Sequence, residues 1–82
     1  QKEAKELAQE SDLMIVVGSK KSANTTHLAE ILKDCTTTIH IENDAELNNE
    51  ILKGVDNIGI TAGASTPQSI INNVIDKIKG GL

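Results

Sequence analysis

The sequence predicts an α/β domain in three layers, with helices on both faces of a parallel sheet of at least three strands ordered 2-1-3. Three observations carry this reading. Short β-type runs alternate with helical patterns along the whole chain. The first such run, Leu13-Met14-Ile15-Val16-Val17, is apolar throughout, as a strand covered on both faces must be. Helical segments separate the strands, so each connection can make the right-handed crossover that parallel neighbours need. In the order 2-1-3 the most apolar strand takes the centre.

The elements follow in turn. Lys2 to Glu10 reads as a helix with Ala4, Leu7 and Ala8 on one face, and Leu13 to Val17 as the first strand, ending at Gly18. A helix then runs from Ala23 or Asn24 to about Asp34, with Leu28, Ile31, Leu32 and Cys35 as its apolar stripe. Ser22 and Asn24 are both candidate N-caps, because either side-chain oxygen can accept from a free N–H of the first turn. The β-branched stretch Thr36 to Glu42 is the second strand. Asn43-Asp44 opens a short helix through Lys53 that turns Leu47 and Ile51 inward and stops at Gly54. Asn57 to Thr61 is the third strand. Thr66 and Pro67 fit an N-cap and first helical residue. The last helix carries Ile70, Ile71, Val74, Ile75 and Ile78 on one side and stops at Gly80-Gly81.

The chain has 82 residues, enough for one domain, residues 1–82, and it reads as a piece of something longer. A chain of this size buries only about 60% of the surface it exposes when unfolded. It has no aromatic residue, so Ile, Leu, Val and Ala must build the core. Net charge is −4, and every basic residue is a lysine. Without a basic face, guanidinium forks or stacking rings, nucleic acid is excluded as a partner. No membrane span or targeting segment is visible. A single cysteine, Cys35, rules out an internal disulfide and suits a reducing cytoplasm. It reads as a buried structural thiol. Asn24-Thr25-Thr26 matches a glycosylation acceptor, which carries no weight without a sign of secretion.

In open parallel sheets ligands collect beyond the carboxyl ends of the strands, where strand order reverses. In the order 2-1-3 that point lies between strands one and three. The loops leaving them are "GSKKSAN" and "TAGAST", the stretches richest in small polar residues before a helix. Ser19, Ser22, Thr25, Ser65 and Thr66 supply hydroxyls, Asn24 an amide, and two helix N-termini free N–H groups and about half a positive charge each. Lys20 and Lys21 add mobile cations. Such a set suits phosphate or diphosphate. Neither loop holds Asp, Glu, His or Cys, so no catalytic residue and no metal ligand is assigned there. A receiver domain would need acidic residues at its strand ends, and a phosphocysteine carrier a cysteine after strand one. His27 reads as surface and His40 as packed or satisfied in its strand. The Ser, Thr and Asn residues could equally be helix caps alone, which leaves open a stand-alone, non-catalytic anion-binding or interaction module. Neither GxGxxG nor GxxxxGK[ST] is present.

Two stretches, "VVGSKKSANTTHLAEI" and "GITAGASTPQSIINNVI", resemble the C-terminal domain of the 4-hydroxy-3-methylbut-2-enyl diphosphate reductases, which end the methylerythritol phosphate route to isoprenoids. The likeness runs from "QKEAKELA" onward and rests on V-G-S-x-x-S-x-N after strand one and T-A-G-A-S-x-P after strand three. It implies a three-lobed oxidoreductase around a [4Fe-4S] cluster held by three cysteines. The enzyme reductively dehydrates an allylic alcohol diphosphate to isopentenyl and dimethylallyl diphosphate, with electrons from a donor protein. It implies that this domain binds the substrate diphosphate through Ser22, Asn24 and Ser65. Where the family often has a second serine, Ala23 leaves only its backbone N–H. The third cluster cysteine would fall a few residues before Gln1, and Cys35 matches no cluster position. The resemblance therefore gives this segment no cofactor of its own, no acid/base residue and no activity apart from the other two lobes.

Overall fold

A computed structural model describes residues 2–80. Four helices and three strands alternate: α1 Lys2–Glu10, β1 Leu13–Val17, α2 Ala23–Lys33, β2 Thr37–Ile41, α3 Asn49–Leu52, β3 Ile58–Ala62 and α4 Gln68–Lys79, with a single 3-10 turn at Asp44–Glu46. The strands form one parallel sheet in the order β2-β1-β3. β1 pairs with β2 from Leu13–Thr37 to Val17–Ile41, and with β3 from Leu13–Ile58 to Val17–Ala62. The expected class and strand order are both found. β2 and β3 are the two edges.

β1 is buried at every position, and its residues alternate between two cores. Leu13, Ile15 and Val17 join Ile41, Leu47 and Val74, with Ile70 and Ile78 of α4 packed alongside. Met14 and Val16 face the other way, onto Ala8 of α1 and Ala29 and Leu32 of α2. A continuous apolar run is therefore required here, since each side chain of the strand meets a helix layer.

Three local expectations change. The helix expected from Asp44 to Lys53 is broken. Leu47 is extended (φ −81°, ψ 144°) and 4% exposed, and Asn48 starts a new cap by accepting from Ile51 N–H at 3.0 Å. Two asparagine caps, Asn43 and Asn48, compete within one segment, and burial of Leu47 fixes the break between them. Gly54 follows the helix with a φ of 78°, the left-handed position expected of it. On α1, Ala4 and Ala8 pack inward, but Leu7 is 38% exposed. On α4, Ile70, Val74 and Ile78 reach the core, while Ile71 and Ile75 are half-buried beside it. Gly80 is the C-cap; Gly81, also expected as a stop, lies outside the described residues.

The amino end of the sheet is fastened by Asp12, whose carboxylate accepts from the N–H groups of Asp56 and Asn57 at 3.3 and 3.2 Å. Gly59 in β3 lets α1 lie close. A Cβ there would meet Met14 Sδ, with Ser11 Oγ at 2.8 Å and Leu7 Cγ at 2.9 Å. Gly59→Ala should therefore destabilise the domain by about 1–3 kcal/mol, as overpacking does. A lower urea midpoint at unchanged slope would register it.

Candidate anion-binding site

The loops after β1 and β3 are joined at one backbone carbonyl. Val17 C=O accepts from Gly63 N–H at 3.0 Å and from Thr66 Oγ1 at 2.9 Å. Thr25, in the first turn of α2, is 2% exposed and fills the space between the loops. A Cβ on Gly18 would come within 2.8 Å of Thr25 Cγ2 and 3.0 Å of Thr66 Oγ1; one on Gly63 would run into Thr25 Oγ1. Both glycines are thus needed for space. Packing around one threonine brings the two loops together at the strand-order reversal, as topology requires.

The three expected side chains sit on this platform in different ways. Ser22 caps α2. Its Oγ accepts from Thr25 N–H at 3.3 Å and stands 3.2 Å from Thr25 Oγ1. A hydroxyl that accepts in this way still has its own hydrogen to donate. Asn24, the rival cap, lies one turn position inside the helix instead. It is exposed and lines an open cleft of about 310 Å³ with Thr25, Leu28, Thr61, Gly63 and Glu3. The N–H groups of Ala23 and Asn24 are first-turn donors with no carbonyl of the helix to reach. Ser65 is exposed in the turn closed by Thr66 N–H to Gly63 C=O at 3.0 Å.

Other expected contributors are committed elsewhere. Thr66 is not the cap of α4. Its hydroxyl is spent on Val17, and the cap position falls to Pro67, whose carbonyl receives the N–H groups of Ile70 and Ile71 at 3.1 and 3.3 Å. α4 therefore starts at Gln68 with no side-chain cap. The Thr25 hydroxyl is turned to Ser22 inside the core. Ser19 Oγ accepts from Lys21 N–H at 3.1 Å. Lys20 is not a mobile cation: its Nζ bonds Glu46 Oε1 at 2.7 Å, and its N–H donates to Glu42 Oε2 at 3.0 Å. Thr25 and Thr66 have thus donated their hydroxyl hydrogens, whereas Ser19 and Ser22 only accept and, with the exposed Ser65, keep theirs to donate.

The hydrogen bond from Lys20 holds the Glu46 carboxyl below its ordinary 4.5, and the Glu42 N–H on Glu46 Oε2 adds to it. The same bond holds the Lys20 ammonium above its ordinary value. His40 is satisfied as expected, its Nε2 donating to Gly18 C=O at 2.9 Å. His27 is exposed. Cys35 is half-buried rather than buried, at the far end of α2 against the α1/α2 core. Among the described residues no group of three His, Cys, Asp or Glu could hold a metal ion. The lone cysteine does not fit an iron–sulfur cluster, and among the described residues no helix is long and apolar enough to cross a membrane.

Sequence reasoning missed Thr25 as the packing centre. Its signal was the Thr25, Ala29, Leu32 spacing, which marks the inner line of α2 better than the larger Ile31 does.

What the fold and these loops define is a parallel α/β domain whose two Ser/Thr-rich turns meet at one end of the sheet. The chain belongs to the LytB protein family, which it matches over residues 1–79. It is 55% identical over 82 residues to the 4-hydroxy-3-methylbut-2-enyl diphosphate reductase of Clostridium perfringens strain 13, covering 96% of this chain and 29% of that one. It is 51% identical over 80 residues to the same-named protein of Caldanaerobacter subterraneus, covering 96% and 28%. A solved (E)-4-hydroxy-3-methyl-but-2-enyl diphosphate reductase, described as the terminal enzyme of the non-mevalonate pathway, superposes with a TM-score of 0.94 at 46% identity, over 98% of this chain and 29% of that one. The Plasmodium falciparum E-1-hydroxy-2-methyl-but-2-enyl-4-diphosphate reductase gives a TM-score of 0.86 at 28% identity, over 92% and 24%. The chain thus spans less than a third of the length of these relatives.

Two outcomes follow from the geometry. Gly63→Ala should cost about 1–3 kcal/mol by collision with Thr25. Thr25→Ala makes room, so the double variant should be less destabilised than the two losses summed, a coupling that a denaturation cycle measures. For the ion pair, a depressed Glu46 pKa means that its contribution is present above pH 4.5 and is lost as pH falls through the lower, folded value. Lys20→Met should move the Glu46 carboxyl titration, followed by NMR, upward toward 4.5 and flatten that acid dependence.

Proposed function

We propose that residues 1–82 are the diphosphate-anchoring domain of a 4-hydroxy-3-methylbut-2-enyl diphosphate reductase. The observation that carries this is the junction at Val17, which sets two helix-starting turns side by side with Ser22, Asn24 and Ser65 at their rims. Family membership and the relatives' names supply the substrate class.

Ser22 and Ser65 each donate a hydroxyl hydrogen to a diphosphate oxygen, and Asn24 donates its side-chain NH₂. The free N–H of Ala23 and the positive ends of α2 and α4 complete the cradle. Glu3 lines the α1 side of the cleft that Asn24 also lines, so its carboxylate disfavours an anion on that side and favours the Asn24 side toward Ser22. Anchoring the unreacting diphosphate fixes where the allylic alcohol end points. Reduction and dehydration belong to the longer chain, where the iron–sulfur cluster, the acid/base groups and the docking site of an electron donor lie. This segment alone has no electron path and is inactive.

The test is made in the full-length enzyme. Hydrogen bonds to charged groups contribute about 1.5–3 kcal/mol, so Asn24→Ala and Ser65→Ala should each lower kcat/KM by about tenfold to a hundredfold with the fold intact. Unchanged kinetics for both would refute the assignment. Ser22→Asp separates capping from binding. Asp caps as well as Ser and suits the helix dipole, so thermal stability should hold while the added charge raises KM for the diphosphate.

A further inference from the structure

Besides its junction with the β3–α4 turn, the loop that carries Ser22 and Asn24 is tied to the end of β2. Gly18 N–H donates to Ile41 C=O at 2.9 Å, and Gly18 C=O accepts from His40 Nε2 at 2.9 Å. Two residues on, Lys20 N–H donates to Glu42 Oε2 at 3.0 Å. Glu42 is held in turn, because its own N–H is bonded by Glu46 Oε2, and Glu46 Oε1 takes the Lys20 ammonium. Every one of these bonds lies on the Gly18–Lys20 half of the loop. The Ser22–Asn24 half is left facing outward.

Glu42 is the unexpected member. One lysine faces two carboxylates here, so the cluster keeps a net negative charge beside a turn argued to bind an anion. By Coulomb's law alone, Glu42 weakens that binding. Its carboxylate accepts the Lys20 N–H, and so ties the turn that leads to Ser22 to the end of β2, in addition to the bonds the turn makes within itself and to Thr26.

We infer that Glu42 is a positioning residue for the diphosphate turn, acting through the Lys20 backbone N–H and not on the substrate. The inference rests on the diphosphate-anchoring reading. It gives opposite signs for two substitutions. Glu42→Gln keeps an acceptor oxygen for Lys20 N–H and removes the charge. Glu42→Ala removes both.

The experiment compares the full-length enzyme with these two variants. It measures KM and kcat for the allylic diphosphate, the inhibition constant of inorganic diphosphate, and hydrogen exchange at the Lys20 amide. Glu42→Ala should raise KM and the inhibition constant about threefold to tenfold, the cost of ordering a loop on binding, with kcat little changed and the Lys20 amide exchanging faster. Glu42→Gln should leave both constants level or lower them, with Lys20 still protected. A purely electrostatic role would lower both constants in both variants, and a purely structural role would lower thermal stability while leaving both constants unmoved; either overturns the proposal. Asn24→Ala, run alongside, tells the two failures apart. If it impairs binding and Glu42→Ala does not, only the positioning role falls. If Asn24→Ala is silent, the anchoring reading falls and takes this inference with it.

Discussion

The carbonyl of Val17 is the point on which the rest of the site depends. A strand that ends in mid-sheet must satisfy its last backbone groups with something. Here one oxygen takes a backbone N–H from one loop residue and a threonine hydroxyl from another, three positions further along. That double bond of contacts sets the β3–α4 turn against the β1–α2 turn. Thr25 then fixes their spacing, because the glycines on either side of it leave room for its side chain and no more. Two helix starts are consequently brought to the same end of the sheet by ordinary packing.

Much of this was legible in the residues, and for a physical reason. A strand buried on both faces cannot alternate, so Leu13 to Val17 declared itself central. With that strand central, the reversal point of the sheet and the two loops beside it followed from topology. The isoleucine ladder of α4 and the left-handed Gly54 were legible in the same way, since periodicity and positive φ leave direct marks on composition. What stayed hidden was how polar side chains divide their bonds. Thr66 looks like a cap and is a strand-end donor; Lys20 looks like a free cation and is tied to Glu46. Both partners lie far away in sequence, so no local pattern could name them. Of the two candidate caps, Ser22 takes the position and Asn24 falls inside the first turn, a contest decided by which residue the turn from Ser19 delivers to the helix start.

The same division of labour marks this loop, with its single glycine, off from glycine-rich phosphate loops. Phosphate loops rich in glycine expose many N–H groups at once. Here two turns meet instead, and each brings a serine hydroxyl and a helix start. Thr25 and Thr66 turn inward to build the frame, and Lys20 is tied to Glu46 at the surface. The serines and the asparagine stay at its rim, where short side chains can reach out without losing their backbone anchors.

The outer strands of the sheet, Thr37–Ile41 and Ile58–Ala62, carry neither proline nor a fixed charge, and among the described residues no further strand pairs with the outer backbone row of either. Proteins ordinarily blunt such borders with charge, bulges or cover. A segment left in this state is a template for a fourth strand. Inside a longer polypeptide, the same unfinished borders are where neighbouring structure can be laid down in register.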